Sequence, residues 1–463
     1  MRRLFPLLLL LATSISSLAQ TRYEPTWQSI DSRPVPKWFE DAKFGIFIHW
    51  GLFSVPAWGP TERDGVGIYD RYAEWYWRKL TDPNAKTYPL FTKFHNSVYG
   101  EDVKYQDFAS QFKAELFNPT EWADVFRQSG AKYVVLTSKH HEGFTLWPSA
   151  QAWNWNVMDV GPHRDLAGDL IKAVKDKGLR MGYYYSLYEW FNPLYQADVN
   201  AYVDNHMIPQ MKDLVTRYKP DILWTDGEWD HPSDVWRSTQ FLSWLYNDSP
   251  IKNDVVINDR WGKETRGKHG GFFTTEYDLV HEGTSEGVKF ARPWEECRGI
   301  GGSFGFNRKE NLADYSTSKQ LIDVLIDKVA RGGNLLLNIG PTADGRIPVI
   351  MQQRLKDIGD WLSVNGEAIY ETREWDKAPA IGKSTTTYFT RKGNDLYLLC
   401  TKWPEQPVVI SGVRKAGKVT LLGYKGAVTT AARGNGLSIT PPAVSPSANP
   451  SQYAWVFKLE GAL

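Results

Sequence analysis

Ile222-Leu223-Trp224-Thr225-Asp226-Gly227-Glu228-Trp229 starts as a short apolar, β-prone run and ends in a carboxylate followed by glycine. The run has the length of a buried strand. Gly227 lets the backbone turn away where the strand stops, so that Asp226 can face the open end of a sheet. Asp before Gly is also an ordinary turn dipeptide, and what favours the strand-end reading is that the pattern repeats. The runs Met181 to Ser186, Tyr133 to Thr137 and Gly45 to His49 lie upstream of it, and Asp254 to Asp259, Phe272 to Tyr277 and Asn334 to Gly340 lie downstream. Helix-like segments separate them. Asn118-Pro119-Thr120-Glu121 offers an N-cap, a proline at the first helical position and a capping glutamate, followed by the apolar stripe Trp122, Val125 and Phe126. Ile322, Leu325, Ile326 and Val329 form another stripe at helical spacing, stopped by Gly332-Gly333.

This alternation predicts an α/β fold of parallel strands joined by helical crossovers. Seven runs, with an eighth placed in the irregular stretch from Cys297 to Phe306, approach the eight strands of a (β/α)8 barrel; a doubly wound open sheet is the alternative. Polar residues stand just after many of the runs: His49, Lys139-His140-His141, Asp226, Asp259-Arg260 and Glu276. A barrel gathers those strand ends on one face, where active sites lie, whereas an open sheet spreads them along an edge. The texture changes after the helix-like segment Arg354 to Val364. From about Trp375 onward short alternating runs (Leu396 to Leu399, Val408 to Ile410, Val419 to Leu422, Tyr453 to Leu459) are separated by Gly, Pro and Ser, the spacing of a small antiparallel β-sandwich. The expected organisation is a leader over 1–19, a (β/α)8-like barrel over 20–370 and a C-terminal β-sandwich over 371–463.

Arg2 and Arg3, the run Leu7 to Leu11 and Ser17-Leu18-Ala19 have the charged head, apolar centre and small-residue cleavage site of an export signal. The apolar run is far shorter than the ~20 residues a bilayer requires. The expectation is therefore a periplasmic or secreted protein without membrane insertion once the leader is gone. The 54 basic and 53 acidic residues nearly balance, which gives no electrostatic footprint for nucleic acid. Two cysteines, Cys297 and Cys400, are too few for a disulfide framework and are expected as free buried thiols. The composition is most unusual in its aromatics, with 21 Trp, 23 Tyr and 21 Phe, residues whose apolar faces stack on sugars.

If the chemistry is glycoside cleavage, Asp226 needs a second carboxylate about 5 Å away in a retaining enzyme, one group to attack and one to protonate the leaving oxygen. Glu276, Glu295 and Glu296 are all open by composition. His49, His140 and His141 sit at strand ends. Adjacent histidines on an extended segment point to opposite sides, and no metal-binding helical spacing occurs, so hydrogen bonding to hydroxyls suits them better than a metal. In Tyr72-Ala73-Glu74-Trp75-Tyr76-Trp77, a sugar wall and ordinary helix packing are both open readings. A non-catalytic sugar-binding barrel and a metal-dependent hydrolase are the competing function classes.

Six segments in order, Asp41-Ala42-Lys43-Phe44-Gly45-Ile46-Phe47-Ile48-His49-Trp50-Gly51, Glu74-Trp75-Tyr76, Lys139-His140-His141-Glu142-Gly143-Phe144, Trp224-Thr225-Asp226-Gly227-Glu228-Trp229, Asn258-Asp259-Arg260-Trp261-Gly262 and Leu337-Asn338-Ile339-Gly340-Pro341, resemble the successive motifs of the α-L-fucosidases, the family 29 glycoside hydrolases. The resemblance implies a barrel with a C-terminal β-sandwich, exo-action on terminal α-L-fucosyl residues of glycans or glycoconjugates, retention of anomeric configuration, and neither metal nor cofactor. It implies Asp226 as the nucleophile of a fucosyl-aspartate intermediate, and His49, Glu74, Trp75, His140, His141, Trp224 and Arg260 as residues that hold the sugar. Phe47 and Phe304 would wall the pocket for the C5 methyl group, and Tyr184 is the tyrosine chosen from the Tyr183-Tyr184-Tyr185 run. For the acid/base, Thr274-Thr275-Glu276-Tyr277 resembles the position used in several bacterial members and favours Glu276. Trp294-Glu295-Glu296-Cys297 resembles a motif associated with the active site and keeps Glu295 open. Arg260 is expected to keep Asp226 ionised, and a partly apolar wall to keep the acid protonated.

Overall fold

The computed structural model describes residues 22–280, 283–284 and 290–463; the leader expected over 1–19 lies outside the described residues. Eight strands carry the first part of the chain: β1 (Phe44–Ile48), β2 (Tyr133–Lys139), β3 (Arg180–Ser186), β4 (Ile222–Asp226), β5 (Val256–Ile257), β6 (Phe273–Glu276), β7 (Trp294–Gly299) and β8 (Asn334–Ile339). Every ladder among them is parallel, in the order β5-β4-β3-β2-β1-β8-β7-β6, and two short antiparallel strands, Leu279–Val280 and Gly283–Thr284, extend the sheet beyond β6. β5 and β6 share no ladder, but Gly271 N donates to Asn258 O at 3.1 Å and Phe272 N to Ile257 O at 3.0 Å, and these two bonds close the ring. The sheet is a (β/α)8-like barrel, not the open alternative.

The eighth strand differs from its expected place. It starts at Trp294 rather than Cys297, and residues 300–306 form the loop beyond its end. Two consecutive glutamates hide it, because buried strands of parallel sheets ordinarily read as apolar runs. Both are buried and satisfied: Glu296 Oε1 accepts from Arg298 Nη2 at 2.6 Å and from Asp278 N at 2.9 Å, and its Oε2 accepts from the Thr275 hydroxyl.

Side chains alternate across each strand. Phe47, Tyr133, Val135, Tyr184, Ile222, Trp224 and Leu336 fill the bore, while Ile46, Ile48, Val134, Leu136, Tyr183, Tyr185 and Leu223 pack outward into one large core. This alternation splits the three consecutive tyrosines and leaves Tyr184 alone inside. Gly45 is required by close approach, since an added Cβ would stand 2.4 Å from the Tyr133 ring. The helix Pro119–Gln128 begins as expected, with Asn118 Oδ1 accepting from the backbone of Thr120 and Glu121. The helix Ser318–Ala330 buries the whole predicted stripe.

The C-terminal strands are β9 (Arg373–Glu374), β10 (Thr387–Lys392), β11 (Asp395–Cys400), β12 (Val408–Ser411), β13 (Val419–Leu421), β14 (Thr429–Arg433), β15 (Gly436–Thr440) and β16 (Trp455–Leu459). They form two antiparallel sheets, β9-β10-β11-β16-β13 and β12-β15-β14. Leu396, Leu398, Phe457 and Leu459 of the first share a core with Ile410, Leu437 and Ile439 of the second, the expected sandwich. The opposite face of the larger sheet does not meet solvent: Tyr397, Leu399 and Val456 join the barrel's outer core. Trp361 Nε1 donates to Ala454 O at 3.0 Å, and Thr390 Oγ1 to Ala368 O at 2.7 Å, across the same junction. Cys297 and Cys400 are free and buried. Among the described residues no helix is long and apolar enough to cross a membrane.

Candidate active site

The carboxyl ends of the barrel strands surround a cavity of about 430 Å³. β1 delivers Phe47 and, one residue past its end, His49; β3 delivers Tyr184; β4 delivers Trp224 and Asp226; β6 delivers Thr274 and Glu276; and Arg260 follows β5. His140, His141, Glu74, Trp75 and Phe304 also lie on the cavity wall, so that of the expected site residues only Glu295 is not among them.

The histidine pair corrects one expectation. His140 and His141 both face the cavity, with ring centroids 4.2 Å apart, because β2 ends at Lys139 and the chain then turns. Gly143 closes that turn with φ +82° and donates its N–H to His140 O at 3.0 Å. Lys139 itself is still strand and points away, its Nζ 2.6 Å from the buried Glu189 carboxylate. The aromatic segment is divided between the cavity and the core. Tyr72, Glu74 and Trp75 face the cavity, whereas Tyr76 and Trp77 open the helix Tyr76–Thr81 and pack into the core. Glu74 Oε2 accepts from Gly305 N at 2.8 Å and from Ser303 Oγ at 3.2 Å, which ties this wall to the loop that carries Phe304.

Asp226 is held from both sides. Arg260 Nη1 donates to its Oδ1 at 2.8 Å and Tyr184 Oη to its Oδ2 at 2.9 Å, with Arg266 Nη2 3.5 Å from Oδ1. Burial alone would raise its pKa, but the positive groups around it, Arg260 first among them, outweigh burial and hold the carboxyl well below the usual carboxylate range. Arg260 is fixed in turn. Its Nε donates to Thr274 Oγ1 at 3.1 Å, its Cζ lies 4.5 Å over the Trp224 ring, and its Nη2 is 3.4 Å from Glu276 Oε2. One guanidinium therefore spans Asp226 and Glu276. Tyr72 Oη donates to Glu276 Oε1 at 2.7 Å. The wall expected to be apolar around the acid thus holds a hydroxyl and a cation at Glu276.

Glu295 is elsewhere. It does not line the cavity, and its carboxyl lies in the bore, 1% exposed, where Oε1 accepts from Trp224 Nε1 at 2.9 Å and Oε2 from Tyr133 Oη at 2.5 Å. Burial pushes this carboxyl up to about 7. A carboxyl whose folded pKa exceeds its unfolded value supports folding below the unfolded value and loses that support as pH rises through the folded one. Glu295→Gln, which copies the protonated acid, is expected to gain denaturation midpoint over the parent as pH rises from about 5 to 8; urea titrations across that range check it, and a constant difference contradicts it.

Arg266, Tyr69, Tyr72, Lys79, Trp229, Thr274 and Cys297 also line the cavity and were not placed there from sequence. Arg266 lies in the loop Gly262-Lys263-Glu264-Thr265-Arg266-Gly267, which has no periodicity to give it a direction. Tyr72 and Trp229 stood in quoted segments without an assigned place. Among the described residues no three His, Cys, Asp or Glu side chains come together as a metal-binding group.

The chain is similar to known proteins over most of its length. The family model for alpha-L-fucosidase matches residues 10–367, and that for the alpha-L-fucosidase C-terminal domain matches 383–460. The human tissue alpha-L-fucosidase is 44% identical over 451 residues, covering 95% of this chain and 92% of that protein. The alpha-L-fucosidase of Branchiostoma floridae is 42% identical over 468 residues, covering 98% and 100%. The crystal structure of Thermotoga maritima alpha-fucosidase with a mechanism-based inhibitor superposes with a TM-score of 0.79 at 37% identity, covering 95% of this chain and all of that one. With both family models matched in order and the strand-end residues gathered in one cavity, the chain belongs to the alpha-L-fucosidase family of glycoside hydrolases.

Proposed function

We propose that this cavity releases terminal α-L-fucosyl residues from glycans or glycoconjugates with retention, through a covalent fucosyl ester on Asp226. The observation that carries the reading is the Arg260 guanidinium bridging Asp226 and Glu276, which holds two carboxylates on the wall of one cavity. In the first step Glu276 gives its proton to the glycosidic oxygen as Asp226 attacks the anomeric carbon; the C1–O bond breaks and the aglycone leaves as an alcohol. In the second step the Glu276 carboxylate takes a proton from water as that water attacks C1, and the ester bond to Asp226 breaks. Two displacements return the original configuration. Arg260 and Arg266 keep the attacking carboxylate ionised, and Tyr184 orients it.

His49, His140, His141, Glu74 and Trp75 hold the sugar hydroxyls, while Phe47 and Phe304 take the C5 methyl group. Their rings stand 6.4 Å apart with His49 beside both. The Trp224 indole and the packed bore close the base of the cavity, which suits a chain-end sugar and exo-action. The catalytic unit ends near residue 370, the last 93 or so residues forming the sandwich, and residues 1–19 act as a leader that exports the enzyme to the periplasm or the medium.

Incubation with 2-deoxy-2-fluoro-α-L-fucosyl fluoride tests the reading. Fluorine at C2 opposes the oxocarbenium-like transition state and slows both steps, while the fluoride leaving group lets the first proceed. The expected result is a mass gain of one fluorofucosyl group, mapped by peptide sequencing to Asp226. A label on another residue, or turnover without a label, contradicts it.

A further inference from the structure

Two of the cavity histidines are bonded at Nδ1 to buried acceptors whose own polarity is dictated by backbone carbonyls. His49 Nδ1 lies 2.7 Å from Asn338 Oδ1, and Asn338 Nδ2 donates to Phe304 O at 2.7 Å. A carbonyl only accepts, so the amide nitrogen of Asn338 must face Phe304 and its oxygen must face the ring. The hydrogen between Asn338 and His49 therefore belongs to Nδ1. His141 Nδ1 lies 2.7 Å from Ser186 Oγ, and Ser186 Oγ directs its single hydrogen to Tyr188 O at 2.6 Å. With its hydrogen committed, the serine accepts from Nδ1–H of His141. Burial pushes both imidazoles below the ordinary histidine value, His49 to about 3, so both rings are neutral and Nε2 carries a lone pair.

For His141 the consequence is specific. Its Nε2 stands 3.7 Å from Asp226 Oδ2. Two lone-pair atoms at that separation do not bond, so Nε2 is left free to accept a hydroxyl hydrogen. The other tautomer would aim an Nε2–H at the anionic nucleophile and remove the acceptor. His140 has no such fixture. Among the described residues its Nδ1 has no hydrogen-bond partner, and it lies 3.4 Å from Glu142 Oε2.

We propose that Asn338 and Ser186 are positioning residues that lock His49 and His141 as Nδ1–H tautomers, so that both rings offer Nε2 as acceptors for hydroxyl hydrogens of the bound sugar and His141 leaves Asp226 unmasked. The inference rests on the reading that fucose occupies this cavity. Its first prediction concerns the free enzyme and does not depend on turnover, so it can fail while the trapping experiment succeeds, and the reverse.

The test is nitrogen NMR of enzyme labelled with 15N-histidine, with His49→Gln and His141→Gln assigning the signals, followed by calorimetric titration with L-fucose. In the wild type near pH 7 both rings are expected to show a protonated Nδ1 and a bare Nε2. Ser186→Ala is expected to move His141 toward the Nε2–H form and to weaken L-fucose binding about tenfold, the worth of one lost hydrogen bond. Ser186→Thr, which keeps the accepting oxygen, is expected to restore both. A wild-type ring with a protonated Nε2 overturns the proposal even if no variant folds. So does unchanged fucose affinity in Ser186→Ala, or weakened affinity with the His141 tautomer unmoved.

Discussion

Asp226→Ala is expected to lower kcat on an aryl α-L-fucoside by a factor on the order of 10^4, with added azide restoring turnover and yielding β-L-fucosyl azide. The substitution removes the nucleophile but leaves Arg260 and Arg266, which in the parent hold the carboxylate from one side. Those cations face the space the carboxylate leaves, and a small anion takes its place. Azide then attacks from the face Asp226 occupied, and with no enzyme ester to displace, the product keeps the inverted configuration. Gas-phase or NMR identification of the azide product and kinetics with and without azide check this. An unrescued variant that still binds fucose, or one with near-parent activity, removes Asp226 from the nucleophile's role.

Glu276→Ala is expected to separate substrates by leaving group. For alkyl or sugar aglycones, which need a proton to depart, kcat/KM falls by about 10^2 to 10^4. For a 2,4-dinitrophenyl fucoside, whose phenolate leaves unaided, the loss in the first step is small and the missing base appears as a slow second step. Glu295→Gln is expected to fall less than about tenfold, because its amide replaces an acid that reaches only Trp224 and Tyr133 and never the cavity. The two variants thus give opposite patterns if Glu295 is the proton donor instead: Glu295→Gln would then be nearly inactive on sugar aglycones and Glu276→Ala would not discriminate among leaving groups.

Much of this molecule is legible in its sequence, and the gaps have physical causes. The strand–helix alternation carries the barrel, and the polar residues at the run ends carry the cavity, because a parallel closed sheet allows those ends no other meeting place. The Tyr184 choice follows from strand alternation once β3 is placed. β7 is concealed by Glu295-Glu296, whose partners Tyr133, Trp224 and Thr275 lie on other strands. The depth of a residue in the bore is also hidden. Glu295 and Cys297 share the inner face, but the register that sets Cys297 level with Glu276 and Glu295 two residues deeper exists only in the folded sheet. The His140-His141 pair is misjudged because the strand stops one residue before it. Arg266, in a loop without periodicity, has no local signal that it meets Asp226.

The most direct test of the account is proton NMR of the sugar released in the first minutes of aryl α-L-fucoside hydrolysis by the wild-type enzyme, before mutarotation mixes the anomers. Two displacements at Asp226 predict α-L-fucose first, with the β anomer growing in afterwards. β-L-fucose as the first product would mean a single displacement by water, and no ester on Asp226.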